Sequence, residues 1–357
     1  MKAVSAVAIS GAASACTSTQ LRSGRRFDDI PKLSLTSLPT ACNPMSNLSR
    51  LIGGPDLYVK RDDVMELAHG GNKTRKLEYA LAEALNEGAK AVVTQGGLQS
   101  NHVRQTCSGA AKVGLQAHVV LSNPVPEMED QLTGSGNFLM DQLMGAHIYR
   151  AADGRGPVVE QVLSDLAAKG LSPYNIPAGA SNGIGSLGYV NAARELIEQW
   201  GDMGIRPSHI FTGTGSCGTQ AGLLYALRYF GNTTTEVVGV SVSGDKPRVE
   251  ARMRSVMDMI ADEMGTSKSL VPDSDIIVTD QFIGEGYGRP TEAGVAAMRA
   301  TAESEGIILD PVYTGKAMSA MLDMLRTGML EGAREVVFLH TGGAPAIHPY
   351  AEFLIDA

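Results

Sequence analysis

One feature constrains the fold more than any other. From "DLYVKRDD" onward, short apolar runs that end in glycine-rich turns alternate with helix-length segments. "KAVVTQGG", "QAHVVLS", "AHIYRA", "SPYNIPAG", "HIFTGTG", "EVVGVSVSG" and "REVVFLHTGG" read as strands. Between them, "SNHVRQTCSGAAKVG", "NFLMDQLMG", "VVEQVLSDLAAKG", "GYVNAARELIEQWGDM" and "GTQAGLLYALRYFG" read as helices. Such βαβα order predicts parallel sheets with helices on both faces. The 41 glycines suit the many tight strand-to-helix turns this needs. At 357 residues the chain is long for one core, so two domains are expected. No Pro/Ser-rich linker separates them, which predicts interwoven rather than serial domains. In open parallel sheets ligands bind beyond the carboxyl ends of the strands. The loops "TQGGLQSNH", "IPAGASNGIG", "GTGSCGTQ", "VSGDKP" and "HTGGAPA" are therefore the places to look for a site.

The net charge of −8 argues against nucleic acid or an anionic membrane as a principal partner. No window approaches the ~18–20 apolar residues of a membrane span. The four cysteines, Cys16, Cys42, Cys107 and Cys217, have no metal or redox spacing, and they read as reduced thiols with no metal site. Residues 1–26 contain four cations and no acid and are rich in Ala, Ser and Thr. They are expected to be a disordered extension on a cytoplasmic protein or, alternatively, a mitochondrial or plastid transit peptide.

Two stretches carry candidate chemistry. In "HIFTGTGSCGTQAGLL", a strand runs through a glycine-rich turn into a helix. Gly213, Gly215 and Gly218 fit G-x-G-x-x-G, with Glu236 at the spacing of a ribose-binding acid, so a dinucleotide-binding dehydrogenase is one reading. Ser216 and Thr219, however, place hydroxyls in the turn, and Gly215, Cys217 and Gly218 can aim N–H groups at one point. That combination fits a single terminal phosphate at a helix start. In "GGNKTRKLEYALAEAL", Lys73, Arg75 and Lys76 crowd a helix N-terminus, where positive charge is unfavourable. Either they meet an anion there or one lysine has another use. Arg75 and Lys76 read as cations near a phosphate or as a solvated face with Glu78.

A phosphate cup and an activated lysine together point to pyridoxal phosphate. "GGNKTRKLEY", "GGLQSNHVRQT", "GTGSCGTQAG", "EGYGRP", "DPVYTGK" and "HTGGAPA", in this order, resemble the ACC deaminase/D-cysteine desulfhydrase family, where ACC is 1-aminocyclopropane-1-carboxylate. The resemblance implies an α/β fold of type II among pyridoxal-phosphate enzymes, like the tryptophan synthase β subunit. It would have two three-layer domains with mostly parallel sheets. Residues 27–80 and 190–357 would form the large cofactor domain and 81–189 the small one. A homodimer acting on a small amino acid is implied as well.

Carried over by resemblance, Lys73 bonds the cofactor, and Lys76 reaches toward its phosphate. Gly215, Ser216, Cys217, Gly218 and Thr219 form the cup. Asn101 lies beside the cofactor ring, and Thr314 meets its pyridine nitrogen. Ser100 faces the cofactor near the substrate, although by itself it reads as a helix cap. Gln99, Ser100, Asn101 and Thr341 would bind substrate, with Gln99 and the following N–H groups cradling its carboxylate. Tyr287 and Tyr313 match catalytic tyrosines, or else are structural aromatics. His102 reads as a helix-surface residue or one supporting the site from behind.

Thr314 and Thr341 stand where ACC deaminases carry Glu and Leu. A hydroxyl at the ring nitrogen makes a weaker electron sink than a carboxylate. The expected reaction is thus β-elimination of D-cysteine to pyruvate, hydrogen sulfide and ammonia, with Lys73 as base at the α-carbon. The alternatives are release of sulfite from L-cysteate, ACC deamination, or a non-catalytic amino-acid binder. For a sulfonate, Lys246, Arg248 and Arg289 are candidate cations, and they equally fit a solvated surface.

Overall fold

The computed structural model describes residues 27–356. The N-terminal extension, with the disorder or targeting expected of it, lies outside the described residues. The strands are β1 (Cys42–Pro44), β2 (Asp56–Arg61), β3 (Ala91–Gly97), β4 (Gln116–Ser122), β5 (His147–Arg150), β6 (Pro173–Asn175), β7 (His209–Thr214), β8 (Glu236–Ser241), β9 (Ile277–Thr279) and β10 (Glu335–His340). The helices are α1 (Ser46–Ile52), α2 (Lys73–Asn86), α3 (Asn101–Lys112), α4 (Glu129–Gly134), α5 (Gly136–Leu143) and α6 (Gly156–Ala168). They continue with α7 (Gly183–Met203), α8 (Gly218–Tyr229), α9 (Lys246–Met264), α10 (Glu292–Glu305), α11 (Thr314–Arg326) and α12 (Ala351–Asp356).

Two sheets result. One has six strands in the order β1-β2-β10-β7-β8-β9, and the other four in the order β5-β4-β3-β6. Only the β1–β2 pair is antiparallel. Both sheets are covered on both faces, so their strands are nearly continuous apolar runs. In β10, Val337 and Leu339 join one core with Ile210 and Val237, beneath residues of α7, α8 and α9. Val336 and Phe338 turn the other way, into a core with Phe211 and Val238 and residues of α1, α10 and α11. In β3, Val92 packs toward α2 and α3, while Ala91 and Val93 pack toward α6. This period-2 division makes each sheet the middle of a three-layer unit.

The two sheets draw on different parts of the chain. Strands β3 to β6 are contiguous, whereas the six-stranded sheet combines β1 and β2 with β7 to β10. The C-terminal ends of β3, β6, β7 and β10 all open on one cavity. No described helix is long and apolar enough to cross a membrane.

Candidate active site

The cavity has a volume of about 860 Å³. At its edge the chain turns through Gly70 and Gly71, with φ of 71° and 124°, before entering α2. A Cβ on Gly71 would stand 2.5 Å from Gln105 Nε2 and 3.2 Å from the Thr341 carbonyl, so only glycine admits this approach. Asn72 N donates to Thr341 O (3.0 Å), and Asn72 Nδ2 donates to Thr219 Oγ1 (2.8 Å). These two bonds fix Lys73, the first residue of α2, in the cavity wall. Lys73 has no hydrogen-bond or ion-pair partner among the described residues. Burial lowers its pKa to about 8. That amine is readily freed for nucleophilic or base chemistry.

Its neighbours differ from expectation. Arg75 meets neither solvent nor phosphate. It lies in a buried network, donating to both Asp62 oxygens (2.9 Å each), to both Glu195 oxygens (2.9 and 3.0 Å) and to Thr40 Oγ1. Lys60 and Tyr189 complete that network. Lys76 is fully buried and does not line the cavity. Its Nζ donates to Gly179 O (3.0 Å) and Ser181 Oγ (3.1 Å), behind the glycine-rich turn. Burial, and then the charge of Lys73, push its pKa well below the ordinary lysine value. Lys73 itself is lowered by burial alone, not by the neighbouring cations.

The glycine-rich turn after β7 forms a cup. Cys217 precedes α8 with φ 71°, a left-handed conformation costing a non-glycine residue roughly 1–2 kcal/mol. Its placement turns successive N–H groups inward at the start of α8, where the first amides have no partner within the helix. Gly215, Ser216, Cys217 and Thr219 line the cavity. Gly218 N donates to Ser181 Oγ (3.1 Å), which lies 2.8 Å from Ser216 Oγ. A Cβ on Gly218 would stand 2.8 Å from Lys76 Nζ, so the hidden ammonium lies directly under the cup. Thr214 Oγ1, also in the wall, is buried without a hydrogen-bond partner. Convergent amides and hydroxyls, with the Lys76 amine beneath, fit a phosphate, whose charge would favour the protonated form of that amine.

A second helix start faces the first. Ser100 caps α3, accepting from Val103 N (3.3 Å), and lines the cavity with Asn101. Asn101 Oδ1 accepts from Asn137 Nδ2 (3.0 Å). Gln99 does not line the cavity, and its side chain is engaged elsewhere. Its amide donates to Leu132 O (2.6 Å) and Ser135 O (2.9 Å) and accepts from Asn137 N (2.8 Å). At this helix start the cavity therefore meets Ser100 and Asn101, and Gln99 supports them from outside. His102 is buried, not on a helix surface, and contributes to the wall. Thr94 Oγ1 gives its proton to Ile176 O, so the 2.7 Å contact makes His102 Nε2 the donor. Burial depresses its pKa far below 6.5, so the ring is neutral.

Tyr287 and Tyr313 meet edge to face across the cavity, with ring centroids 5.8 Å apart. Tyr313 OH donates to Tyr287 OH (2.8 Å), leaving the Tyr287 proton free for the cavity. Burial raises both pKa values, and for Tyr287 the Tyr313 hydrogen bond and Arg155 pull back. Lys316 Nζ donates to the Ile283 (2.6 Å) and Gly286 (3.0 Å) carbonyls, and Tyr350 OH donates to Gly288 O (2.6 Å). These bonds clamp the Tyr287 loop. Thr341 lines the cavity. Thr314 does not. Its hydroxyl donates to Asp310 Oδ2 (2.7 Å) and accepts from Asp310 N (2.7 Å), leaving no proton for a ring nitrogen.

Of the loop cations, Arg248 lines the cavity. Lys246 pairs with Glu250 (3.7 Å), and Arg289 with Glu127 and Glu285. Two arginines not anticipated from sequence, Arg155 and Arg252, also reach the wall, and no Asp or Glu lines it. Nothing in the local sequence marks them, because only the folded arrangement brings the loop before α6 and the first turns of α9 to the cavity.

The model of the pyridoxal-phosphate dependent enzyme family matches residues 33–342. A D-cysteine desulfhydrase of Serratia proteamaculans is 39% identical over 334 residues, covering 91% of this chain and 98% of that relative. One of Yersinia enterocolitica is 39% identical over 329 residues, covering 91% and 97%. The crystal structure of an ACC deaminase homologue superimposes with a TM-score of 0.83 at 34% identity, covering 92% of this chain and 97% of that one. The dinucleotide reading of Gly213 to Gly218 falls with these matches.

Proposed function

The chain belongs to the pyridoxal-phosphate dependent enzymes, and we propose that within them it eliminates hydrogen sulfide from D-cysteine, giving pyruvate and ammonia. The observation that carries this reading is the likeness, end to end, to D-cysteine desulfhydrases. The site chemistry is consistent with it. When bound, the cofactor supplies an electron sink that acidifies the substrate α-carbon. Its phosphate would be held by Gly215, Ser216, Cys217 and Thr219, with Lys76 beneath; Gly218, whose N–H is committed to Ser181, shapes the turn. Lys73 would hold the cofactor, and as a neutral amine it is the base placed to take the α-proton. Ser100 and the N-terminal amides of α3 bind and orient the substrate carboxylate. The free Tyr287 proton is available to the departing sulfur, and Tyr313 orients that hydroxyl.

ACC deamination is disfavoured because position 314 carries no carboxylate. Asp310, the acid that Thr314 contacts, accepts from Val312 N, Tyr313 N, Thr314 N and Thr314 Oγ1, so its lone pairs are committed to the turn. We also propose a homodimer, with a large domain of residues 27–80 and 190–357 and a small one of 81–189. The cytoplasm suits Cys42, Cys107 and Cys217, which are free thiols.

The test is turnover of the purified holoenzyme with D-cysteine, L-cysteine and ACC. Equal amounts of pyruvate and sulfide from D-cysteine are expected, with little or no product from ACC. Absence of pyruvate from D-cysteine would sink the proposal.

A further inference from the structure

Tyr287 sits in a loop that does not fix itself. Residues 280–291, between β9 and α10, are neither helix nor strand, and Gly284, Gly286 and Gly288 take φ of 67°, 138° and 81°. Among the described residues, the backbone from 283 to 289 makes one hydrogen bond to itself, Arg289 N to Gly286 O at 3.4 Å. Glycine reaches such conformations without strain, and it also leaves them easily. The Tyr287 ring is nonetheless closely placed. A Cβ on Gly97, at the end of β3, would stand 3.1 Å from its Cε1, and its hydroxyl accepts from Tyr313 OH at 2.8 Å. The hold comes from outside the loop. Lys316 is fully buried in the first turn of α11, and its Nζ donates to Ile283 O (2.6 Å) and Gly286 O (3.0 Å). The Gly286 carbonyl belongs to the planar peptide unit that enters Tyr287, so fixing it fixes where that side chain starts. Tyr350 OH holds Gly288 O (2.6 Å) on the other side of Tyr287. Tyr313 is the residue that precedes α11. One lysine thus reaches from the helix start that carries Tyr313 to the loop that carries Tyr287. Burial lowers its pKa to about 8 against the pull of Asp310, so at neutral pH it is an ammonium and its two bonds are charge-assisted.

We propose that Lys316, with Tyr350 opposite it, is a positioning residue for departure of the β-substituent: it holds the Tyr287 hydroxyl where the leaving atom gathers charge. This rests on the lyase reading above. As the bond from the β-carbon to sulfur breaks, both its electrons leave with the sulfur. The Tyr287 O–H, left free by Tyr313, donates a hydrogen bond to that charge. Burial keeps Tyr287 protonated, so the hydrosulfide takes its proton from solvent once it is released. A donor misplaced by an ångström can cost about 100-fold in rate. Chloride is a far weaker base than hydrosulfide and leaves with less help. Loss of the clamp is therefore felt chiefly when sulfur departs.

The experiment measures kcat and KM of the holoenzyme with D-cysteine, read by sulfide, and with β-chloro-D-alanine, read by chloride. It compares wild type with Lys316→Met, which keeps the stem and removes the donor, with Tyr287→Phe, and with the double variant. In Lys316→Met, kcat for D-cysteine should fall about 10- to 100-fold, with a smaller change in KM. The ratio of the D-cysteine kcat to the β-chloro-D-alanine kcat should fall about tenfold or more. Adding Lys316→Met to Tyr287→Phe should cost little more, because the hydroxyl it places is already gone. Equal losses with the two substrates, or losses that multiply in the double variant, would show a general structural role and overturn the assignment. An unchanged ratio in Tyr287→Phe overturns it too. If Lys316→Met does not fold, Tyr350→Phe, which removes one hydroxyl from the other side of the loop, should lower the same ratio, and no fall there counts against the clamp. If wild type turns over neither substrate, it is the lyase reading that fails. Amide hydrogen exchange across residues 283–289 then still decides whether Lys316 holds the loop: faster exchange in Lys316→Met supports it, and unchanged exchange overturns it.

Discussion

Helix α2 begins with three cations treated in two opposite ways. On one side Arg75 is buried against Asp62 and Glu195, each hydrogen-bonded and charge-compensated. On the other, Lys76 is fully buried and Lys73 half-buried in the cavity wall, with no acid paired to either among the described residues. Burying a charge is tolerable when it is paired and costly when it is not. The paired side therefore reads as architecture. The unpaired side is a debt of electrostatic energy that a ligand settles: a covalent bond for Lys73 and a phosphate over Lys76.

Lys73→Ala should break the unpaired side most severely. Pyruvate formation should fall by at least about 10⁴-fold, and the long-wavelength absorbance of the bound cofactor should vanish, while the melting temperature of cofactor-free protein holds or rises. Arg75→Met should do the reverse, destabilising the fold by about 3–5 kcal/mol because Asp62 and Glu195 lose their partner. Urea unfolding measures this, and a neutral result would dissolve the distinction between the two sides. Lys76→Met should weaken cofactor affinity about 10- to 100-fold without destabilising the cofactor-free protein, as read by fluorescence titration.

Asp141 extends the comparison to an acid. Its carboxyl is buried with only the Cys107 thiol and the charge of Arg104 to offset the loss of water, and burial prevails, raising its pKa to about 8. A folded-state pKa above the unfolded value gives stability that is full below about pH 4 and lost as pH rises to about 8. Asp141→Asn should therefore add up to a few kcal/mol near pH 8 and almost nothing at pH 4, in urea melts at the two pH values. The smallest effect concerns Lys73. Folding lowers its pKa, so its neutral fraction grows as pH rises. Cofactor uptake by the cofactor-free protein should accelerate with pH and level off above about 8. A flat profile would mean that the amine is already neutral.

Much of this was legible in the sequence. The strand–turn–helix rhythm holds because each strand of a doubly covered sheet must be apolar on both faces, and the turns must be glycine-rich. Strand β9, three residues bounded by Asp-rich turns, is too short to show a period. Among site residues, Lys73, Ser100, Asn101, Ser216 and Thr219 lie in motifs whose local geometry decides where they face. Gln99 and Thr314 lie in the same motifs and point away, because neighbouring residues in a tight turn project in different directions. Arg155, Arg252 and Asp310 carry no local signal. Their meaning arises only when distant segments of the chain meet. Arg75 looked like Lys76 because the acids that claim it, Asp62 and Glu195, are far apart along the chain.

Strand β10 occupies the middle of the six-stranded sheet, with β2 from the beginning of the described chain on one side and β7 on the other. During synthesis, β2 and β7 emerge long before the strand that separates them. Until β10 leaves the ribosome, each has an open edge toward the other, and Thr341, which anchors Asn72 beside Lys73, does not yet exist. The nascent protein thus has no anchored Lys73 until β10 and Thr341 have emerged. Premature termination anywhere before β10 should leave a chain that exposes sheet edges and cannot secure its cofactor.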